Sequence, residues 1–201
     1  MRIAVESEGL TDTALSFERG NQDAAKAYDL LSGRLSRFGA MAGDASTAEE
    51  FAAAYDEGAR SCLGAVADLV DAFATCGRLT LASLANHGRA EARSVISGRC
   101  VYEGSAPPSG YVAVLPCTPP SSLGGDMAGL PGWASWILDQ VEGFVWPDAD
   151  VDRLREAAAC WRAASLQVAD LTWHCDTAAR GFLSQRSVSY THLTLPTIYS
   201  V

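Results

Sequence analysis

The chain has 201 residues, of which 48% are hydrophobic, and its 15 basic and 24 acidic side chains give a formal net charge of -9. This length is enough for one domain, or two small ones, with a real apolar core. The acidic balance leaves no basic stripe, so we expect no nucleic-acid partner. No stretch approaches the roughly 20 apolar residues that a bilayer span requires, so we also expect no membrane span.

The first predicted helix carries an apolar seam between residues 10 and 38. Its apolar positions recur in steps of three and four residues, as they do in a helix that packs lengthwise against another helix. One seam position is polar, Asn21, and a polar residue there can fix the packing register at some cost in stability. The apolar seam residues are Leu10, Ala14, Phe17, Ala24, Tyr28, Leu31, Leu35 and Phe38.

A turn and a second long helix come after this seam. Gly39 and Gly43 interrupt the pattern, and a capping box at Ser46 with Glu49, or one residue later, begins the next helix. That helix extends to about residue 93, with a bend expected near one of its later glycines or an overhang covered by later residues of the chain. Its predicted inward stripe is Phe51, Tyr55, Cys62, Leu63, Val66, Leu69, Val70, Phe73 and Cys76. Two long helices joined by a short turn must lie antiparallel, which predicts a helical hairpin over residues 1–97.

The middle of the chain, residues 98–132, is rich in Pro and Gly. Residues 100–102 and 111–115 could pair as a short β-ribbon, and an extended linker is equally compatible with the composition. Cys100 and Cys117 could close this segment as a disulfide, although free buried thiols fit six cysteines without a Cys-x-x-Cys pair better.

A second helical unit is predicted over residues 133–187. Trp133, Trp136 and Phe144 recur at helical spacing, and they could form either core packing or an anchor for a partner helix. The sequence WPDAD, which begins at Trp146 and Pro147, is a helix start signal with acidic residues at the positive end of the helix dipole. The inward residues of the helix after this signal are predicted to be Leu154, Ala158, Trp161, Val168, Leu171, Cys175 and Phe182.

No catalytic, cofactor-binding or metal-binding residue is predicted. His174, Cys175 and Asp176 resemble a nucleophile with its base, but consecutive helical residues point about 100° apart and cannot converge as a triad must. No histidine has a neighbour at metal-ligand spacing. We therefore expect that this part of the protein is not an enzyme and holds no cofactor.

Residues 188–197, VSYTHLTLPT, resemble the in-frame translation of the transposon mosaic-end adapter used in short-read sequencing libraries. We therefore expect the authentic sequence to end near Ser187, with residues 188–201 derived from the adapter and disordered. On this interpretation the second helical unit is truncated, and residues 188–201 are not part of the native fold.

Two stretches resemble known families. The helix, the FGAMAGD turn and the helix with FAAAYD resemble the WXG-like helical hairpins of type VII secretion substrates, with Phe38 and Gly39 at the turn. The stretch EGFVWPDADVDRLREAAACWRAAS resembles the start of the N-terminal domain of mycobacterial channel-forming necrotizing toxins and related polymorphic toxins.

The resemblance implies an all-α targeting and docking module of a larger type VII-secreted toxin, cytoplasmic before export and exported without a cleavable leader. Its partner would be a small WXG-like helical-hairpin protein or the type VII secretion ATPase, and helix faces could also pair two copies. The alternatives are an enzyme fragment whose active site needs a further segment, and a phage-tail or scaffold protein. The expected interaction residues are Phe38, Gly39, Trp133, Trp136, Phe144, Trp146, Pro147 and Trp161.

Overall fold

The computed structural model describes residues 7–44, 46–94, 110–124 and 149–191. Three α-helices account for most of them: α1 (Ser7–Leu35), α2 (Ser46–Ser94) and α3 (Val151–Thr191). Within these ranges there is no β-strand, and the one extended pairing is an isolated antiparallel bridge between Gly43 and Gly124. The predicted all-α class is confirmed.

The helix starts agree closely with the sequence signals. α2 begins at Ser46, the first residue of the proposed capping boxes, and it continues as one helix through Gly77 and Gly88. α3 begins directly after the WPDAD sequence, at Val151. α3 ends at Thr191, four residues into the stretch attributed to an adapter, and the origin of that stretch stays a prediction.

The chain divides into two compact units, and each contains part of every helix. Unit 1 comprises Met1–Ala24, Leu69–Ala113 and Ala169–Val201, and unit 2 comprises Ala25–Asp68 and Val114–Val168. The predicted domain boundaries at residues 97 and 132 lie outside the described residues, so the proposed domain division stays a prediction.

The core of unit 1 is built around two phenylalanines. The rings of Phe17 on α1 and Phe73 on α2 lie 6.4 Å apart at an interplanar angle of 54°. Gly20 lies directly against the Phe73 ring, so that a β-carbon at this position would clash with the ring. The other buried apolar residues of this unit are Leu10, Ala14, Ala24, Val70, Ala74, Leu171 and Ala178.

Unit 2 has one continuous apolar core to which all three helices contribute. Burying such side chains stabilises the fold by about 25 cal/mol for each Å² removed from water. Because Ala157, Cys160 and Ala164 of α3 belong to this core, α3 shares it with α1 and α2. The core residues are Tyr28, Leu31, Leu35, Phe38, Met41, Ala59, Leu63, Val66, Ala67, Ala157, Cys160 and Ala164.

The predicted seam of α1 is confirmed at every position. All eight apolar seam residues are buried, and Asn21 is fully buried between them. Its side chain donates to the Val70 carbonyl of α2 at 2.9 Å. Asn21 also bonds both backbone groups of Val112, so the polar position in the seam joins three parts of unit 1.

The predicted stripes of α2 and α3 are confirmed in part, because Leu63, Val66, Val70 and Phe73 on α2 and Leu171 on α3 are buried. Phe51, Cys62 and Cys76 are exposed on α2, as are Ala158, Val168 and Cys175 on α3. Small residues occupy the other buried positions of these helices, because alanines let helix axes approach closely where bulkier side chains cannot. These residues are Ala52, Ala59, Ala67 and Ala74 on α2, and Ala157, Cys160, Ala164 and Ala178 on α3.

The middle segment and the cysteines also differ from expectation. Residues 111–115 form no strand, and the proposed partner 100–102 lies outside the described residues. Five described cysteines are free thiols, Cys117 among them, and only Cys160 is buried. The expectation of buried thiols was therefore wrong for the other four, because they lie on the outward faces of their elements.

Candidate docking surface

Phe38 and Gly39 lie in the turn between α1 and α2, within unit 2. Phe38 is buried in the unit 2 core, in the same apolar cluster as Met41 and Leu35. Gly39 is half-buried, and a β-carbon at this position would lie 3.2 Å from the β-carbon of Pro120. Its carbonyl accepts a hydrogen bond from Arg153 Nη1 of α3 at 3.1 Å. The turn thus brings α3 and residues 120–124 together around one glycine.

Backbone pairing holds the rest of this turn against residues 121–124. Ala40 N donates to Ser121 O at 3.0 Å, Ala42 N donates to Ser122 O at 2.8 Å, and Gly124 N donates to Gly43 O at 2.9 Å. Gly43 has a φ of 83°, a left-handed conformation that favours glycine. Ala40 adopts a φ of 58°, which costs an L-residue about 1 kcal/mol and is held by this pairing.

Asp56 of α2 fastens the same segment from the other side. Its carboxylate accepts the Ser121 hydroxyl at 2.6 Å and the Ser122 backbone N–H at 2.8 Å. Partial burial acts to raise the pKa of Asp56, but these hydrogen bonds outweigh it and hold the pKa below its ordinary value. Asp56 is therefore a charged clamp between α2 and residues 121–122.

The start of α3 is fixed to the turn by Asp150. The Asp150 carboxylate accepts the backbone N–H groups of Asp152 and Arg153 at 3.1 and 3.0 Å, as an N-cap does. Its own backbone N–H donates to Met41 O at 2.9 Å. The acidic signal in WPDAD thus positions the helix that carries Trp161.

Three aromatic side chains form a surface that we name the aromatic ladder: Phe51, Tyr55 and Trp161. Phe51 and Tyr55 stack with ring centroids 6.0 Å apart, and Tyr55 meets Trp161 edge-on at 6.3 Å and 78°. Trp161 Nε1 donates to the Tyr55 hydroxyl at 3.2 Å. Burial raises the pKa of Tyr55 above its ordinary value, so this hydroxyl is neutral at physiological pH.

The ladder runs from the core of unit 2 to solvent. Tyr55 and Trp161 are half-buried against the core, whereas Phe51 is 47% exposed. Aromatic residues with one face on a rigid core and one face in water are typical anchors of protein interfaces. The sequence pattern indicates Trp161 as an interaction residue. It assigns Phe51 to the core, because Phe51 fits the apolar stripe of α2.

The remaining predicted interaction residues lie outside the described residues. These are Trp133, Trp136, Phe144, Trp146 and Pro147. Their role, like that of Phe38, Gly39 and Trp161 in docking, stays a prediction.

Metal binding and membrane insertion are two alternatives to a docking surface. The described residues contain no group of three or more His, Cys, Asp and Glu side chains that could hold a metal ion. None of the described helices combines the length and apolarity needed to cross a bilayer.

Comparison with known proteins finds relatives in mycobacteria. Over 167 residues, 83% of this chain, it is 34% identical to "Outer membrane channel protein CpnT" of Mycobacterium tuberculosis and of Mycobacterium bovis. Over 162 residues, 81% of the chain, it is 28% identical to "Putative NAD(+)--arginine ADP-ribosyltransferase Mav" of Mycobacterium avium. No protein-family model and no solved structure matches the chain.

The chain is homologous to the N-terminal region of CpnT. It spans 19% of the length of each of these relatives. The expected likeness to the N-terminal region of the mycobacterial toxins is confirmed. The expectation that this part of the protein is not an enzyme is contradicted by the weak and partial similarity of the chain to Mav, which is named an NAD(+)--arginine ADP-ribosyltransferase.

Proposed function

We propose that the chain is a docking and export-targeting module of a larger toxin that leaves the cell by a type VII-like route. The observation that carries this proposal is that one stretch of about 160 residues recurs in two relatives with different names. CpnT is named an outer membrane channel protein and Mav an ADP-ribosyltransferase, yet both share this stretch with the chain. Export is a requirement that a channel and a toxin enzyme have in common.

The aromatic ladder supports docking as the means of export. An exposed aromatic residue backed by a rigid core loses little side-chain entropy when a partner covers it. Phe51 has this arrangement, because Tyr55 and Trp161 support it from the core side. The partner we propose is a small WXG-like helical-hairpin protein, or the type VII secretion ATPase, that lays a helix across Phe51.

Export can be tested with a reporter. The full chain, fused in front of a secretable reporter enzyme, is expressed in a mycobacterium and in the same strain without its type VII secretion ATPases. We expect reporter activity in the culture filtrate of the first strain and its retention in cells of the second. Retention in both strains, or equal release from both, would contradict the proposal.

Two surface variants locate the docking site within the same assay. Phe51→Ser removes an exposed anchor, and a loss of about 2 kcal/mol at such a position weakens binding about 30-fold. Leu79→Ser is the matched control, because Leu79 lies on the same helix and is 64% exposed. We expect export to fall with Phe51→Ser and to persist with Leu79→Ser.

A second candidate function is favoured by the similarity to Mav. On this hypothesis the chain contributes to an NAD(+)-dependent transfer of ADP-ribose to arginine. Incubation of the full chain with labelled NAD(+) and an arginine-rich acceptor protein tests this directly. Transfer of label above a heat-denatured control would support the hypothesis, and its absence would leave export targeting as the better account.

A further inference from the structure

Side chains of α1 hold residues 110–112 in unit 1 through hydrogen bonds to their backbone groups. Asn21 Oδ1 accepts the Val112 N–H at 2.8 Å, and Asn21 Nδ2 donates to the Val112 carbonyl at 3.0 Å. Glu18 Oε1 accepts the Gly110 N–H at 2.8 Å, and Gln22 Nε2 donates to the Gly110 carbonyl at 3.3 Å. Both backbone groups of two alternate residues are thus satisfied by one face of α1. This is how a protein grips an extended peptide rather than a particular sequence.

Tyr111 lies between these two residues. Its ring occupies a site formed by Ala14, Gly77 and Arg78, which we name the seat. The ring lies against Gly77 of α2 so closely that any β-carbon at residue 77 would overlap it. The Arg78 guanidinium lies 5.6 Å from the ring centroid, within the range of a cation–π contact. The Tyr111 hydroxyl donates to the Ala14 carbonyl of α1 at 3.3 Å. The seat therefore selects a flat ring with a polar tip.

We propose that this part of unit 1 is a recognition site for an extended peptide with an aromatic residue, filled here by the chain's own residues 110–112. The ligand in trans is a segment of another protein with the pattern small residue, tyrosine, β-branched residue. All the groups that grip the segment belong to α1 and α2, so they would grip the same backbone and ring from a separate chain. Peptide binding at this seat stands independently of export.

The bound segment is attached in a way that permits exchange. Gly110, Val112 and Ala113 are exposed, and Tyr111 is only half-buried. The attachment rests on five hydrogen bonds and one ring, and each hydrogen bond contributes modestly once solvent competition is counted. Segments with so few buried apolar contacts open locally without unfolding of the domain.

After release of residues 110–112, the site would be more stable with a peptide bound than empty. Asn21 is fully buried, and release of Val112 leaves its amide with one remaining partner, the Val70 carbonyl. The Asn21 Oδ1 atom then lacks the N–H that it accepts in the filled site, and an unpaired amide oxygen is costly, so the site gains from any ligand that offers a backbone N–H and C=O at the same spacing. Asn21 is thus the positioning residue of the site, and the seat at Gly77 is its specificity determinant.

The test uses the full chain, labelled with ¹⁵N, and the peptide acetyl-Gly-Tyr-Val-Ala-amide. Tyr111→Ala empties the seat. The peptide is titrated into this variant, and the NMR signals of the Asn21 side-chain amide and the Arg78 Nε–H report binding. We expect saturable binding at least about tenfold tighter than to the unaltered chain, because the internal segment competes at an effective concentration on the order of mM. A peptide with Ala in place of Tyr should not bind.

Two glycine variants separate the seat from a general surface effect. Gly77→Ala, added to Tyr111→Ala, fills the seat with a methyl group and should weaken peptide binding by tenfold or more. Gly64→Ala in the same background is the matched control, because nothing lies within 4 Å of a β-carbon there and α2 carries both positions. Equal binding by the two double variants would overturn the proposal, as would no binding by a folded Tyr111→Ala chain.

Hydrogen exchange of the unaltered chain gives a second measurement that needs no variant. If the segment detaches locally, the Val112 N–H exchanges faster than the amides of α1 and α2 in unit 1, and low urea does not accelerate it. Exchange of Val112 only through global unfolding would overturn the proposal, because the internal segment would then never leave the site.

Discussion

Leu35→Ala tests whether the apolar seam of α1 carries the stability of unit 2. The Leu35 side chain is 2% exposed and lies in the unit 2 core. Truncation to alanine removes three carbon atoms, worth about 2.4 kcal/mol at about 0.8 kcal/mol for each buried carbon. The cavity left behind adds to this loss, and measured Leu→Ala changes in well-packed cores fall between about 2.7 and 5.0 kcal/mol. We therefore expect a loss of about 3 to 4 kcal/mol.

Leu30→Ala is the matched control, with the same substitution on the same helix. Leu30 is 41% exposed, so its truncation removes much less buried area and leaves no closed cavity. We expect a loss below about 1 kcal/mol, partly offset by the higher helix propensity of alanine.

Urea unfolding followed by circular dichroism at 25 °C measures both variants. At a slope of about 2 kcal/mol per M, the expected loss for Leu35→Ala lowers the urea midpoint by about 1.5 to 2 M, whereas Leu30→Ala changes it little. Equal effects of the two substitutions, or a negligible effect of Leu35→Ala, would refute the seam as the source of this core.

Three further contacts are tested by substitution, one of them with a matched control. Gly77→Ala should lower the urea midpoint because its methyl group displaces Tyr111, whereas Gly64→Ala should raise stability by up to about 1 kcal/mol through helix propensity alone. Asp56→Asn should be less stable than the unaltered chain at pH 7. Because the folded pKa of Asp56 lies below its ordinary value of 3.8, that stability is present above pH 3.8 and is lost as the pH falls through the folded pKa, so the two unfolding curves should converge in acid. Asn21→Ala should cost at least about 2 kcal/mol in urea unfolding, since it leaves a buried carbonyl of Val70 without its side-chain partner and releases Val112.

The seam of α1 could be predicted completely because its large apolar residues recur in steps of three and four. Phe17, Tyr28, Leu31 and Leu35 fit one helical face, and this regular spacing fixes the phase of the helix. The start of α3 was equally readable, since Asp150 provides a side-chain cap that depends only on local sequence.

The phases of α2 and α3 were less predictable because alanine lies on every face of both helices. Periodicity then rests on a few large side chains, which place Leu63, Val66 and Phe73 correctly on the buried face of α2 but wrongly add Phe51 and Cys62. Close helix packing selects Ala52 and Ala59 for their small size, which no hydrophobic pattern expresses.

The contacts of residues 110–124 lay beyond sequence reasoning altogether. Asn21 could be singled out as a polar seam residue, but its bonds to Val112 join residues 91 positions apart. Asp56 likewise fastens Ser121 across 65 positions. Side-chain bonds to an extended backbone leave no periodic signal, so only the folded structure reveals them.

Photo-crosslinking in an exporting mycobacterium tests the docking surface most directly. A benzoylphenylalanine replaces Phe51 in the reporter fusion, and the same residue replaces Leu79 in the control. Docking through the aromatic ladder predicts a crosslink from position 51 to a small helical-hairpin protein or to the secretion ATPase, and none from position 79. Crosslinks of equal yield from both positions, or export that proceeds with no crosslink at position 51, would contradict it.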